Sequence, residues 1–376
     1  MSHPTPHPYG IYVHVPWCRA RCPYCAFNVE VRAQDDMPVA DWLHALFAAW
    51  EVEQPHFSGP AHSLYLGGGT PSLLPAEPVG QLIDTLPLTE TAEVTLEVNP
   101  GTASAEALHA MTAVGVNRMS LGVQSLQHSV ARRLSRGHTT DQALELIQIM
   151  PSLPLRSWSI DLIFGVPDQT LDQLKADLDL VRELSPPHIS LYGLSIEPGT
   201  PFEQMAHSGA LTLPEQESWR AQYDLIVQTL TQEGWVRYEV SNFAKPGHRG
   251  VHNEQVWRGG WYVGLGPGAH GFRPDGTRTT TVPGVSEWLA QPCARDERPS
   301  PKEAAIDHLL STLRHCNGTT HRGLLDVSGY KLSEQTIDTL CQAGLLIRNS
   351  CGIHLTLEGF AMSDGVIRRL AETLSP

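Results

Sequence analysis

The sequence predicts an α/β protein: a partial (β/α)6 barrel of the TIM type, followed by a smaller C-terminal winged-helix-like α+β domain. Three observations lead to this fold class. Short apolar runs alternate with longer helical stretches about six times, which indicates βα units on a parallel sheet. Polar and glycine-rich motifs follow successive predicted strands, as they do at the C-terminal face of a barrel. The end of the chain changes to a helix, β-hairpin, helix pattern.

The predicted strands are apolar segments bounded by turn residues. They are Gly10–Val15, His62–Leu66, Val94–Val98, Arg118–Val123, Trp158–Phe164 and His188–Leu194. The predicted helices are Val39–Glu53, Ala76–Leu86, Ala105–Val114, Asp141–Met150, Leu171–Leu184 and Pro214–Gln232. Thr170 and Gln173 have the spacing of a capping box, which predicts the start of the helix that follows. Six such units are fewer than the eight of a closed barrel, so a partial barrel is expected.

Changes of composition divide the chain into three predicted regions. Residues 1–243 contain the βα units. Residues 244–296 are rich in Gly, Arg, His and Trp with little periodicity, which predicts a loop-rich extension packed against a pocket. Residues 297–376 return to a helical pattern and include a helix over Ser333–Ala343, a hairpin around Asn349–Gly352 and a final helix beginning at Thr356. Without a basic recognition face, this winged-helix-like region is expected to serve packing or protein interaction rather than DNA binding.

Composition excludes several classes of function. The 376 residues carry a formal charge of −14, with no cluster of Lys and Arg, which argues against a nucleic-acid-binding protein. The seven cysteines are an odd number without a paired framework, as expected in a reducing cytosol. We expect neither a signal peptide nor an integral membrane segment, since no basic start precedes an apolar run and no window is long enough to span a bilayer. The predicted location is cytoplasmic.

Three cysteines, Cys18, Cys22 and Cys25, lie on one short loop directly after the first predicted strand. Three thiolates hold three irons of a [4Fe–4S] cube and leave the fourth iron open to a small-molecule chelator. No further cysteine follows until Cys293. A zinc site usually needs four ligands in paired spacings, and a disulfide would leave one thiol over, so both alternatives are weaker.

A glycine-rich motif, Gly67-Gly-Gly-Thr-Pro71, follows the second predicted strand. Alone it is a common strand-to-helix turn, but the cysteine loop lies one βα unit earlier. Together they resemble the radical S-adenosylmethionine (SAM) superfamily, and most closely the oxygen-independent coproporphyrinogen III oxidase family. Further motifs in family order are Glu97-Val-Asn-Pro100, Ser120-Leu-Gly-Val-Gln-Ser125, Arg136-Gly-His138, Asp161-Leu-Ile-Phe-Gly-Val-Pro167 and Glu197-Pro-Gly-Thr-Pro201.

The resemblance implies two cofactors and the residues that bind them. Cys18, Cys22 and Cys25 would carry a [4Fe–4S] cluster, and SAM would bind its open iron through amino and carboxylate groups. The positions that match the SAM site of the family are Tyr12, Tyr24, Gly68, Gly69, Thr70, Glu97, Gln124, Arg136 and Asp161. These residue types suit the ligand, because carboxylates accept hydrogen bonds from ammonium and hydroxyl groups and an arginine holds a carboxylate.

In two features the chain resembles the haem chaperone branch of this family, the HemW-like proteins. The oxidases carry a further cysteine two positions after the third cluster ligand, where this chain has Phe27 followed by Asn28. The branch also has a His-Asn-x-x-Tyr-Trp motif, which His252-Asn-Glu-Gln-Val-Trp257 resembles except at Val256.

The His252 region has a physical rationale for haem binding, because a neutral imidazole is an axial ligand and tryptophans stack on a macrocycle. His252 is therefore the first candidate haem ligand; the alternative is a hydrogen-bonded loop histidine. His14 is expected in the cluster pocket, and His270 in either site.

The resemblance implies a haem chaperone that binds haem as cargo and transfers it to an acceptor haemoprotein, of which a respiratory enzyme is one example. Reduction of the cluster would require an electron donor. The alternative is a radical SAM enzyme acting on a tetrapyrrole, such as an oxygen-independent coproporphyrinogen III oxidase. Phe27 disfavours that alternative, and whether the chain is an enzyme stays open.

Overall fold

The computed structural model describes residues 8–135, 137–350 and 352–376. Its central sheet contains the six predicted strands, which run parallel and lie side by side in chain order. They are β1 (Tyr9–Val15), β2 (Ala61–Gly68), β3 (Leu88–Val98), β4 (Arg118–Gln124), β5 (Ser157–Phe164) and β6 (His188–Gly193). The predicted α/β class with a parallel sheet is therefore confirmed.

Helices connect these strands and continue beyond them. In chain order they are α1 (Val39–Glu53), α2 (Ala76–Thr85), α3 (Ala105–Ala113), α4 (His128–Arg133), α5 (Thr140–Ile149), α6 (Leu171–Leu184), α7 (Pro201–His207) and α8 (Gln216–Gln232). Helix α6 begins at the predicted capping box, in which the Thr170 side chain accepts from the Gln173 backbone and the Gln173 side chain accepts from the Thr170 backbone. The short helices α4 and α7 were not predicted, because neither is long enough to show a helical period.

The region between residues 244 and 296 corrects the prediction of loops. It contains two helices, α9 (Val251–Trp257) and α10 (Val285–Ala290). Strands between residues 236 and 297 extend the sheet at both edges. Beyond β6 lie β7 (Val236–Arg237) and β8 (Asn242–Ala244), and beyond β1 lie β9 (Trp261–Leu265), β10 (His270–Phe272), β11 (Arg278–Thr281) and β12 (Ala294–Glu297). The sequence does not show these strands because they are short, and because β9 pairs in parallel with β1, a strand far away in the chain.

The sheet of 12 strands has two ends, β12 and β7, so its described part is a partial barrel that does not close. Its parallel strands are almost continuously buried, and all but the last residue of β4 is buried. Burial on both faces is what helices packed on a parallel sheet impose. One apolar core runs from Tyr9 to Trp288 and includes Trp17 and Trp42.

The C-terminal region has an apolar core of its own, made by residues between Ala305 and Leu370. Its helices are α11 (Pro301–Thr312), α12 (His321–Ser328), α13 (Glu334–Gln342), α14 (Leu357–Ala361) and α15 (Ser363–Glu372). Its antiparallel sheet contains β13 (Thr319–Thr320), β14 (Leu346–Arg348) and β15 (Gly352–Leu355) in the order β13, β15, β14. In none of the described ranges does a helix have the length and apolar character needed to cross a membrane.

Candidate functional site

Two cavities lie side by side at the carboxyl ends of the parallel strands. The cysteine cavity, of about 500 Å³, is lined among others by Cys18, Cys22, Tyr24, Cys25, Gly69, Gln124 and Asp161. The histidine cavity, of about 480 Å³, is lined among others by Tyr12, His14, His252, Trp257, Tyr262 and His270. Phe27, Gly68, Glu97 and Tyr192 line both and form a shared wall. Both volumes fall in the range of small-molecule and cofactor sites.

The three cysteines of the loop line one cavity, as the spacing predicted. Thr70 donates a hydrogen bond to Cys18 Sγ at 3.3 Å, and Asn99 Nδ2 donates to Thr70 Oγ1 at 3.0 Å. Thr70 is buried and does not line the cavity itself. A hydrogen bond of this kind favours the thiolate form of a cysteine.

The glycine-rich motif brings the end of β2 against the cysteine loop. Gly69 N donates to Val15 O at 2.7 Å, and Thr70 N donates to Trp17 O at 2.8 Å. A Cβ atom at Gly69 would lie 2.5 Å from Trp17 O, so only glycine allows this approach. Gly68 has φ of +108°, a conformation that other residues rarely adopt. The motif therefore joins the two loops that line the cysteine cavity.

Glu97 is held in the shared wall by two hydrogen bonds, one to each oxygen of its carboxyl group. Tyr65 Oη donates to its Oε1 at 2.8 Å, and Gly68 N donates to its Oε2 at 3.1 Å. Burial raises the pKa of Glu97 to about 7, because the hydrogen bond from Tyr65 only partly offsets the loss of solvent. The carboxyl group therefore changes its charge near neutral pH, between the two cavities.

Asp161 lines the cysteine cavity between a serine of its own strand β5 and a serine of the neighbouring strand β4. Ser120 Oγ donates to it at 2.8 Å and Ser159 Oγ at 3.1 Å, while burial raises its pKa. Gln124 also lines this cavity and has φ of +69° at the end of β4. Arg136, the remaining predicted SAM contact, lies outside the described residues.

His252 lies at the start of α9 and is buried in the wall of the histidine cavity. Burial lowers the pKa of His252 to about 4, so the imidazole is neutral at pH 7. Its backbone N donates to Glu93 Oε1 at 3.2 Å, and the ring of Tyr65 lies 5.2 Å from its own. A neutral imidazole beside a cavity has the chemistry of a metal ligand.

Tyr12 and His14 are placed differently from what the sequence suggested. Both line the histidine cavity, where Tyr12 Oη bonds His14 Nδ1 at 2.9 Å. His14 Nε2 bonds the backbone O of Asn28 at 2.8 Å. Tyr12 and His14, which are alternate residues of β1 and point to the same face, therefore line the histidine cavity and not the cysteine cavity.

Asn28 gives the cysteine loop a long-range contact. Its Nδ2 donates to Pro267 O at 2.9 Å and to Pro283 O at 2.8 Å. A Cβ atom at Gly268 would lie 2.5 Å from Asn28 Nδ2, so the glycine makes room for this side chain. The cysteine loop and the extension that contains β9 to β11 are thereby joined next to both cavities.

The donor set suits an iron–sulfur cluster better than a single ion. Within the described ranges, no group of three or more His, Cys, Asp or Glu side chains is placed to hold one metal ion. Three thiols distributed along the wall of one cavity match a cube in which each thiolate binds a different iron. Nor does a disulfide join any of the six cysteines that the structure describes.

Sequence reasoning missed several residues that complete the two cavities. Tyr65 bonds Glu97, Ser120 and Ser159 bond Asp161, and Ser63 bonds His252. Ser120 begins one of the family motifs but was given no role, whereas Ser63, Tyr65 and Ser159 lie on strands among apolar neighbours and belong to no motif. One available signal is that Tyr65 lies two residues after Ser63, so both point to the same side of β2.

Comparison with known proteins agrees with this geometry. The sequence pattern of the radical SAM superfamily matches residues 12–181. "Heme chaperone HemW" of Escherichia coli (strain K12) is 39% identical over 282 residues, which cover 73% of this chain and 73% of the relative. The protein of the same name from Haemophilus influenzae is 32% identical over 368 residues, covering 94% of this chain and 95% of the relative. This chain belongs to the HemW family.

A solved structure supports the fold independently. The coproporphyrinogen III oxidase HemN from Escherichia coli, described as a radical SAM enzyme, superposes with a TM-score of 0.79 at 21% identity and covers 97% of this chain and 90% of its own. The TIM-like partial barrel is thereby confirmed. Membership of the HemW family also confirms the branch that Phe27, Asn28 and the His252 motif indicated.

Proposed function

We propose that this protein is a haem chaperone that binds haem in the histidine cavity and transfers it to an acceptor haemoprotein. Haem is the cargo in this proposal, and the relatives named "Heme chaperone HemW" supply the functional class. The observation that carries it is the cavity of about 480 Å³ lined by His14, His252 and His270, directly beside the cysteine cavity.

Within the histidine cavity, His252 is the proposed axial ligand of haem iron. The low pKa of its buried imidazole keeps a lone pair available at neutral pH. Trp257, Tyr262 and Tyr12 line the same cavity and provide aromatic surface for a macrocycle. Val256 also lines it, so the position where the motif usually has tyrosine here offers an apolar contact.

The cysteine cavity is the proposed site of a [4Fe–4S] cluster with SAM at its open iron. Such a cluster supplies one-electron chemistry and an exchangeable coordination position. Cys18, Cys22 and Cys25 would each bind one iron, while Thr70 donates to the Cys18 sulfur. Glu97 and Asp161 are placed to accept hydrogen bonds from the ligand. An electron donor would be needed to reduce the cluster.

Titration of the purified protein with haem, followed by absorbance, tests the cargo. We expect saturable binding by the parent and a weaker or spectrally altered complex for His252→Ala. His248→Ala is the matched control, because His248 bonds Ser157 and lines neither cavity. Absence of saturable binding by the parent contradicts the proposal, and an unchanged complex for His252→Ala removes His252 from it.

Anaerobic reconstitution with iron and sulfide, followed by electron paramagnetic resonance with and without SAM, tests the cysteine cavity. We expect a cluster signal that changes when SAM is added, because the ligand reaches the open iron. A cluster whose spectrum does not change when SAM is added contradicts this part of the proposal.

A radical SAM oxidase is the second candidate, favoured by the fold shared with HemN. Phe27 lines both cavities at the position where the oxidases carry their additional cysteine. An anaerobic assay of the reconstituted protein with coproporphyrinogen and a reductant separates the two functions. We expect no protoporphyrinogen, and its formation contradicts a function limited to haem binding and transfer.

A further inference from the structure

We propose that Ser63 is a positioning residue that fixes the tautomer and orientation of His252. The inference rests on the proposed function, in which His252 binds haem iron. Ser63 Oγ lies 2.9 Å from His252 Nδ1, and both residues are buried, with 0% and 7% of their surfaces exposed. In the proposed arrangement the Nδ1–H group donates to Ser63, so that Nε2 carries the lone pair that a metal requires.

The geometry leaves the imidazole little freedom to adopt another orientation. Gly10 and Ser63 are directly paired on β1 and β2, and the ring packs over both. A Cβ atom at position 10 would lie 2.7 Å from His252 Nδ1 and 2.8 Å from Ser63 Oγ. The His252 backbone is also fixed, because its N–H donates to Glu93, whose carboxylate lies 3.8 Å from the buried Arg118.

The second ring nitrogen is the one left for a ligand. Within the part of the chain that the structure describes, the hydrogen bond of the His252 ring joins Nδ1 and Ser63 Oγ. The ring lines the histidine cavity, and the rings of Tyr65, Tyr262 and Tyr12 lie 5.2, 6.4 and 6.5 Å from it. These neighbours pack around the imidazole without occupying Nε2. Histidine ligands of metals commonly have their other ring nitrogen bound in this way.

The tautomer is measurable without haem. Nitrogen-15 NMR of the haem-free parent, with labelled histidine, should show His252 with Nδ1 protonated and Nε2 bare. Ser63→Ala removes the acceptor, so we expect the Nε2–H form to become populated. Ser157→Ala is the matched control. Ser157 is a buried strand serine whose Oγ lies 3.2 Å from His248 Nδ1, and neither residue lines a cavity. This variant should leave the His252 signals unchanged.

Haem titrations of the same variants supply a second measurement. We expect Ser63→Ala to raise the dissociation constant for haem on the order of 10-fold, as for other partners of metal-bound histidines, and to shift the reduction potential of the bound haem. Gly10→Ala should also weaken haem binding, since its methyl group would crowd both His252 Nδ1 and Ser63 Oγ and change the contact between them. Ser157→Ala should bind like the parent.

The outcomes separate this inference from the proposed function. An Nε2–H tautomer in the parent, or identical signals, affinity and potential for Ser63→Ala and the parent, overturns the role of Ser63 while haem binding stands. An Nδ1–H tautomer that requires Ser63, in a parent that binds no haem, supports the positioning role and contradicts the proposed function.

Discussion

The two cavities share a wall but differ in how the chain builds them. The cysteine cavity is made mainly by loops that follow consecutive strands, from Cys18 after β1 to Asp161 on β5. The histidine cavity combines β1 and β2 with residues between Glu239 and His270, so it needs contacts between distant parts of the chain. The comparison shows that a cavity built from local motifs and a second cavity assembled by long-range pairing can lie back to back.

The cavities also differ in their polar groups. The cysteine cavity contains thiols, the Asp161 carboxylate and glycine backbone, which suit a charged cofactor. The histidine cavity contains aromatic rings and three histidines, including His14 and His252, whose pKa values burial lowers. Glu97 is the carboxyl group of the shared wall and accepts hydrogen bonds from Tyr65 Oη and Gly68 N. Variants that affect one cavity, both or neither therefore test whether the two are separate sites.

The largest expected effect is loss of the cluster. Cys22→Ala should reduce the iron bound after anaerobic reconstitution from about four atoms per chain to near zero, because a cube held by two thiolates is not retained. Haem affinity should change by no more than about twofold, since Cys22 lines the cysteine cavity alone. Iron analysis and haem titration measure the two quantities. Cys293→Ala, which changes a cysteine outside both cavities, is the control, and loss of iron in that variant would contradict the assignment.

The second effect is a pH dependence of SAM binding. Only ionised Glu97 would attract the positively charged ammonium group of SAM, and the pKa of Glu97 is raised to about 7. The ionised fraction rises from about one tenth at pH 6 to nine tenths at pH 8, so SAM affinity should increase about tenfold over this range.

Calorimetric titration of the reconstituted protein at several pH values measures this slope. Glu97→Gln should flatten it. Glu239→Gln is the matched control, because burial also raises the pKa of Glu239 to about 7 but this residue lines the histidine cavity alone. If the pH dependence disappears in the Glu239 variant and persists in the Glu97 variant, then Glu239 in the histidine cavity causes it and the prediction is contradicted.

The sequence predicts the cysteine cavity better than the histidine cavity, because local motifs build the first and long-range pairing builds the second. Each βα unit brings its own motif to one edge of the sheet, so the order of motifs is enough to place Cys18, Gly68 and Asp161 together. The six parallel strands follow from the same alternation, and all six are present.

The histidine cavity depends on pairings that local patterns do not contain. Strand β9 pairs with β1 across almost the whole barrel sequence, and Ser63 meets His252 at a separation of 189 residues. The Tyr12 side chain was predicted for the SAM site, yet the direction in which a strand residue points depends on the register of its neighbours. The adjacent residues Phe27 and Asn28 were recognisable as a motif, but the residues that Asn28 bonds could not be predicted from it.

Phe27 offers a variant that should affect both cavities by similar amounts. Its side chain is 63% exposed and lines both, so a ligand in either cavity would cover part of the ring. Phe27→Ala should weaken haem and SAM binding by about fivefold each, the equivalent of about 1 kcal/mol of apolar burial. Stability should not change, because the ring is exposed without ligands.

Val31→Ala is the control for Phe27, since Val31 is 54% exposed on the same segment and lines neither cavity. Titrations of both ligands on both variants complete the comparison. An effect of Phe27→Ala on one ligand alone would show that the ring belongs to a single cavity.

The smallest expected effect on the ligands comes from the contact that joins the two regions. Asn28→Ala removes two hydrogen bonds from the cysteine loop to Pro267 and Pro283. The free energy of unfolding should fall by about 1 kcal/mol, because the carbonyl groups are partly accessible to water, and ligand affinities should change by less than about twofold. Urea denaturation measures the first quantity. Arg21→Ala is the control, because Arg21 bonds Cys25 O and Phe27 O within the same loop and is exposed. Equal destabilisation by both variants would mean that contacts within the cysteine loop stabilise it as much as the contacts of Asn28 do. The shared wall around Glu97, and not Asn28, would then be the main connection between the two cavities.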